Sequence, residues 1–510
     1  MQPSDTHLFP PDAVLEGGDL DCGSGLLLLI RGAIDPLRPG QLLEIRSTET
    51  SVDEDLPSWC RMTGNELVSW SKAGSQRRFL VCRGALSARG SSASTPAPTA
   101  VSWVEVTATD APVTRVLPAP VPVAGIAPFS VMGVGSWPRP RWLLQALHER
   151  LEHRLSDEEF QTTADDAVRL ALDAQVRAGV DVVTDGEQRR DSYASFVGMR
   201  LEGTQLVPLT DLLPMVDHPE ELEKSLKSLD VPADKVRHPA VFSKLRRVRP
   251  IVGHELAFAA TVTGKPIKVA LPGPYLLTRT MWMECWSDRA YASREDLGAD
   301  IAAILREEIF HLLAAGATLV QLDEPVLTEV VHGRKGGGRS FMCGALSEKG
   351  EASKELAFAR DLLNATLQGV PRERSALHMC RGNWTPDESA ALTGDYAPLL
   401  ATLAAVDVGA YILEACTPRA GELELLTALP EDRRIGVGVV NQKHTRIETV
   451  DEIVQRGRKA AHLFGKDRVW LNPDCGFATF ADNPVASALV AEAKLHAMVE
   501  ASRVLRSELG

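Results

Sequence analysis

The chain has 510 residues, 44% of them hydrophobic, enough for two or three domains with a sizeable buried core. Charged residues make up 24% and the formal net charge is −13, which excludes a basic surface large enough to hold a nucleic-acid backbone. No uncharged apolar stretch reaches the roughly 20 residues that span a bilayer, and residues 1–19 hold neither Lys nor Arg nor a long apolar run, so a cytoplasmic location is expected.

The first recognisable unit covers residues 1–86. An acidic start at Asp19-Leu20-Asp21 is followed by an apolar run from Leu26 to Ile30, a Pro39-Gly40 turn, a strand-like stretch from Gln41 to Ser47 and another from Arg78 to Arg83. That order predicts a small two-layer α+β domain of two to four strands with one or two helices. Residues 87–125 read as a linker, because small, hydroxyl and proline residues dominate from Ser87 to Thr114 without helical periodicity.

From residue 126 to 510, apolar runs of strand length alternate with longer amphipathic patterns: Val180 to Thr184, Ile267 to Ala270, Thr318 to Asp323, Ser375 to Met379, Ala410 to Glu414, Ile435 to Val440 and Val469 to Asn472. Such alternation predicts repeated βα units on a parallel sheet, and a (β/α)₈ TIM barrel is the expected closure. A doubly wound open sheet is the alternative, but no GxGxxG pattern follows an early strand. Polar or reactive residues end nearly every run: Asp185 and Glu187, Asp323 and Glu324, His378 and Cys380, Glu414, Asn441 and His444, Cys475. In a barrel those ends form the rim where active sites are built.

The eight cysteines are scattered through a long chain, a usage that favours metal ligands, reactive thiols or core residues over disulfides. His378 and Cys380 stand two residues apart at a strand end, where alternation turns both to one side. Glu414 closes the next run and Cys475 sits on a turn after the last. Imidazole, thiolates and a carboxylate make the mixed donor set of a catalytic zinc site, which keeps one position open. Taken singly, each of these residues also fits a satisfied core or turn position.

Six segments together resemble the catalytic barrel of cobalamin-independent methionine synthase: Gly135-Ser136-Trp137-Pro138, Asp185-Gly186-Glu187-Gln188-Arg189-Arg190, Gln321-Leu322-Asp323-Glu324-Pro325, His378-Met379-Cys380, Glu414 with Pro418-Arg419-Ala420-Gly421, and Asn472-Pro473-Asp474-Cys475-Gly476. The resemblance runs from about Ile126 to the C-terminus and implies a zinc ion (Zn²⁺) on His378, Cys380, Glu414 and Cys475 that activates an acceptor thiol. It further implies that Gly135, Ser136, Glu187 and Asp323 form the substrate site, the last three holding an amino-acid thiol such as homocysteine. His444 is similar to the family's histidine that serves as general acid for the departing donor. Around Pro272 to Arg279 the tryptophan that stacks on folate in the family's folate-using members has no counterpart, Trp282 and Trp286 being only nearby, so the alkyl donor stays open.

Residues Leu20 to about Gly84 resemble the TusA/SirA-like sulfur carriers, on Leu20-Asp21, Pro39-Gly40, the segment Asp55 to Cys60, Gly64 to Val68 and the run Arg78 to Arg83. The family's Cys-Pro dipeptide at a helix N-terminus is missing. Cys22, in Asp21-Cys22-Gly23-Ser24-Gly25, lies close to its place and is either a carrier thiol or a packing residue.

The sequence therefore predicts zinc-dependent alkyl transfer, methyl above all, to a thiol or sulfur acceptor, with small-molecule acceptor and donor as partners. One alternative passes a persulfide from Cys22, charged by a sulfur-donor protein, to the zinc site. Another is an inactive zinc-stabilised binding protein, against which the mixed ligand set argues, since structural sites tend to be Cys-rich and closed.

Overall fold

The computed structural model describes residues 7–20, 25–91, 99–100, 117–151, 154–208, 237–283, 287–288, 290–333, 350–382, 391–478 and 487–510. Two compact units are distinguished, the first made mainly of residues 1–114 and the second of most of the chain from 115 onward.

In the first unit the chain runs β1 (Ala13–Gly18), a helix Leu27–Ile34, β2 (Leu42–Ser47), a helix Val52–Thr63, β3 (Glu66–Ala73), β4 (Gln76–Cys82) and β5 (Thr99–Ala100). The sheet order is β3-β4-β2-β1-β5. β1 runs parallel to β2 and β5, while β4 is antiparallel to β2 and β3. Apolar residues of β1 alternate inward, and the helix Val52–Thr63 has Asp53, Glu54 and Asp55 in its first turn and Gly64 at φ 71 after its end. Arg77 of β4 donates to Asp53 at 3.0 Å and ties sheet to helix. The expected two to four strands become five because Thr99–Ala100 pairs with Ala13 and Val14 inside the stretch read as linker. Its far end is also engaged: Val121 donates to Leu313 O and its carbonyl accepts from Arg374, so residues near 121 belong with the second unit.

The second unit contains a six-stranded parallel sheet of β8 (Lys268–Pro272), β9 (Leu319–Asp323), β10 (Ser375–Met379), β11 (Ala410–Leu413), β12 (Arg434–Val440) and β13 (Val469–Pro473), each paired with its neighbour in chain order. All residues of β8 to β11 and β13 are buried, the pattern of strands covered on both faces. Parallel bridges Val131↔Leu471, Met132↔Val182 and Val183↔Ile267 carry the pairing from β13 through two further segments to the residue before β8. The fold is thus mixed α/β on a parallel sheet.

Covering helices start and stop as their sequences dictate. Ser156 and Glu159 form a capping box on helix Asp157–Ala178, which ends at Gly179 with φ 89, and Thr449 and Glu452 do the same for helix Val450–Phe464. An antiparallel hairpin of β6 (Glu202–Pro208) and β7 (Arg237–Arg246), not expected from the sequence, interrupts the alternation. Among the described residues no helix is long and apolar enough to cross a membrane.

Candidate metal centre and substrate pocket

His378 and Cys380 stand at the end of β10, both buried. His378 Nδ1 lies 2.9 Å from the Ile412 carbonyl, which can only accept, so Nδ1 carries the proton and Nε2 presents its lone pair. Nε2 is 3.7 Å from Cys475 Sγ, and the three ligand atoms of His378, Cys380 and Cys475 all lie within 4.8 Å of one another. Tetrahedral bonds to zinc separate such donors by roughly 3.6–3.8 Å, so this set fits that ion.

The electrostatics of the two thiols run in opposite directions. A hydrogen bond from Cys475, with help from His378, holds Cys380 well below the ordinary thiol range despite burial. The same hydrogen bond, with burial, pushes Cys475 up. Burial alone would lower His378, but Cys380 and Asp323 raise it instead.

Glu414, 2% exposed, follows β11 and stands outside that group of three. Its Oε2 accepts from the Arg381 backbone N–H and its Oε1 from Arg419 Nε, both at 2.7 Å. Burial, reinforced by Asp474, pushes its carboxyl up to about 8 against the pull of Arg381. Asp474 Oδ1 in turn accepts from Ala415 N at 2.9 Å and Cys416 N at 2.8 Å, clamping the segment after Glu414 to the residue before Cys475. A methyl group on Gly438 would stand 2.0 Å from that oxygen, so glycine is required where the clamp passes.

The acidic residues form a second cluster. Gly186 and Glu187 both take left-handed backbone, φ 74 and 55, and for a glutamate this is a strained conformation of the kind that gathers at functional sites. Asp185 Oδ1 accepts from Glu187 N at 3.0 Å, and Arg139 donates to the Glu187 carbonyl at 2.8 Å, holding the turn. Glu187 Oε1 lies 3.7 Å from Arg190, whose guanidinium is committed to Glu255 at 2.7 Å. Glu187 Oε2 is buried and accepts no hydrogen bond from the described residues. Burial pushes the Glu187 carboxyl up to about 7, with Asp323 and Asp185 adding to the rise. Asp323 lies opposite His378 in the β9–β10 register, and burial raises it as well.

Close approaches fit Gly135 and Ser136 into the same place. A methyl on Gly135 would be 2.1 Å from Glu187 Oε1, and one on Gly476 would be 2.2 Å from Ser136 Oγ. Ser136 Oγ accepts from Ala478 N at 3.3 Å, which puts it against the loop that follows Cys475. His444 is placed on the exposed turn beyond β12, and Cys22 lies outside the described residues. Three participants were not singled out from the sequence: Asp474, Arg381 and Lys268. A lysine opening an otherwise apolar strand run was the available signal for the last.

Parallel strands covered on both faces, with imidazole, thiols and carboxylates gathered at their carboxyl ends, define an α/β protein with a thiol-rich candidate metal centre. Residues 129–503 match the family described as cobalamin-independent synthase, catalytic domain, and the chain belongs to that family. It is similar to a methionine synthase of Saccharolobus solfataricus, 28% identical over 378 residues that make up 74% of this chain and 94% of the relative. A methionine synthase of Sulfurisphaera tokodaii is likewise 28% identical over 378 residues, 74% of this chain and 92% of the relative. Among solved structures, a B12-independent methionine synthase from Shewanella sp. in complex with selenomethionine gives a TM-score of 0.58 at 24% identity, covering 75% of this chain and 99% of that one. The putative vitamin-B12 independent methionine synthase from Listeria monocytogenes gives 0.54 at 18% identity with the same coverage, and at these identities the likeness is one of fold.

Proposed function

We propose that the chain is a zinc-dependent methyltransferase that alkylates the thiol of an amino-acid acceptor such as homocysteine, in a (β/α)₈ barrel closed through the bridged segments at 131–132 and 182–183. The observation that carries this reading is the buried nitrogen, sulfur, sulfur cluster of His378, Cys380 and Cys475 beside a buried, unpartnered carboxylate oxygen of Glu187. His378, Cys380 and Cys475 would hold the ion, with Glu414 as fourth ligand once its oxygens exchange Arg381 and Arg419 for the metal. The chemistry a bound zinc ion supplies is deprotonation of a coordinated thiol that stays nucleophilic.

The chain's own groups do the rest. Glu187 and Asp323 receive the acceptor's ammonium, Ser136 meets its carboxylate, and burial excludes the water that would weaken both contacts. His444 would return a proton to the departing donor from the exposed side. Metal analysis together with the mass of the thiol product, after incubation with homocysteine and candidate methyl donors, tests the reading. Stoichiometric zinc and a gain of one methyl are expected, and full zinc and full turnover in both Cys475→Ser and His378→Ala would overturn it.

A second reading gives the N-terminal unit a chemical part. It is supported by the likeness to sulfur carriers and by a helix, Leu27–Ile34, that starts five residues after Cys22. Here Cys22 carries persulfide sulfur to the barrel. Absence of any sulfur adduct on Cys22 after treatment with a cysteine desulfurase and cysteine, with normal turnover of Cys22→Ala, would leave the unit without that role.

A further inference from the structure

Lys268 opens β8 and is 1% exposed, yet nothing in the reaction above uses it. Its Nζ donates to Gln321 Oε1 at 2.7 Å. Gln321 is wholly buried, and its Nε2 donates to Asp323 Oδ1 at 2.7 Å and to the Val134 carbonyl at 3.1 Å. A backbone carbonyl and a carboxylate can only accept, so the amide points just one way: NH₂ to Val134 and Asp323, carbonyl to Lys268. The relay thus fixes which Asp323 oxygen is engaged and leaves the other for a ligand. Val134 lies two residues before Ser136, so the same amide also braces the segment that leads to the serine.

Charge points the same way. Asp323 and Glu187 are both buried carboxylates, Asp323 raises Glu187, and both raise Lys268, which burial nonetheless pulls down to about 7. Around them stand Asp185, Arg190 and Arg139 beside Glu187, and His378 and Cys380 beside Asp323. Positive charge on Lys268 lowers Asp323 and so offsets part of the rise that burial imposes on that carboxylate.

We propose that Lys268, acting through Gln321, is a positioning residue that fixes the Asp323 carboxylate as receptor for the acceptor's ammonium group, and thereby makes the pocket select amino-acid thiols over thiols lacking that group. This rests on the reading of Asp323 and Glu187 as the amino-acid receptor. Lys268 touches neither acceptor nor donor.

The test is calorimetric binding, with steady-state kinetics beside it, of L-homocysteine and of 4-sulfanylbutanoate, its counterpart without the amino group. The proteins are zinc-loaded wild type, Lys268→Met and Gln321→Met. Wild type should favour homocysteine by at least about tenfold. Each variant should lose about tenfold in homocysteine affinity, read as KM more than kcat, while 4-sulfanylbutanoate shifts less than about twofold. Gln321→Met keeps the lysine and cuts only the relay, so it decides the matter if Lys268→Met does not fold. Variants that keep the preference, or that weaken both thiols equally, overturn the positioning role alone. A wild type that binds the two thiols alike, or neither, overturns the amino-acid receptor and with it this proposal.

Discussion

At the scale of single residues the site is a set of buried groups held off their ordinary titration points, and Glu187 is the most consequential. Burial raises its carboxyl to about 7, so below that pH it is protonated in the free enzyme and cannot attract an ammonium. As pH rises through about 7 it ionises, and kcat/KM for homocysteine should climb about tenfold per unit below that point and then level off. In Glu187→Gln this acidic limb should vanish and kcat/KM at pH 8 should fall about a hundredfold, as pH profiles of the two proteins would show. The metal ligands make a second prediction: His378→Ala and Cys475→Ser should each drop zinc from about one per chain to near none, while Glu414→Gln, whose neighbours already offer N–H donors, retains a weaker share. Metal content after dialysis reads both. Much of this was legible in the sequence, because His378, Cys380 and Cys475 fall at ends of apolar runs and Asp185-Gly186-Glu187 announces a turn. Lys268 was not, since a charge inside a buried strand declares its partner only when the neighbouring strand is laid beside it.

At the scale of elements, the strand ends are locked to each other by side chains. Asp474, between β13 and Cys475, reaches the backbone after β11, and Gly438 in β12 leaves the space it crosses. Gly438→Ala should push the carboxylate off its two N–H donors, costing about 2–4 kcal/mol of stability and loosening zinc with it. Denaturant unfolding and metal affinity, measured together, check this; unchanged values in both would remove the clamp from the account. The runs from Val180 to Asn472 matched strands or bridged segments because each is short and all but wholly buried, Asp181 being the half-exposed exception. The hairpin of β6 and β7 escaped because its strands lack alternation of apolar and polar residues, and the bridged segment at 131–132 because it is too short to show a period. Thr99–Ala100 escaped because its pairing lies in the backbone, where composition is silent.

For the whole molecule, two compact units joined through a Pro- and Ser-rich stretch predict that limited proteolysis cuts first between Ser87 and Thr114 and yields two stable fragments, identified by mass. Early cuts within residues 129–503 would contradict the division. Within the larger unit the ladder bonds are unevenly spread. From β8 to β13 neighbours pair over four or five residues, whereas residues 131–132 and 182–183 meet their neighbours over one residue pair each, held by two or three backbone hydrogen bonds at each junction. Native-state amide exchange should therefore report a gradient, slow across the six-stranded side and fast along the thin seam. Gly135, Ser136 and Glu187 lie just past that seam, and His378, Cys380 and Cys475 lie on the well-laddered side, Cys475 closing it. On the proposed reading, the metal ligands stand on the side with the longer ladders and the acceptor residues beside the shorter ones, so acceptor entry is expected to move the wall of Gly135 and Glu187 rather than the ligands opposite.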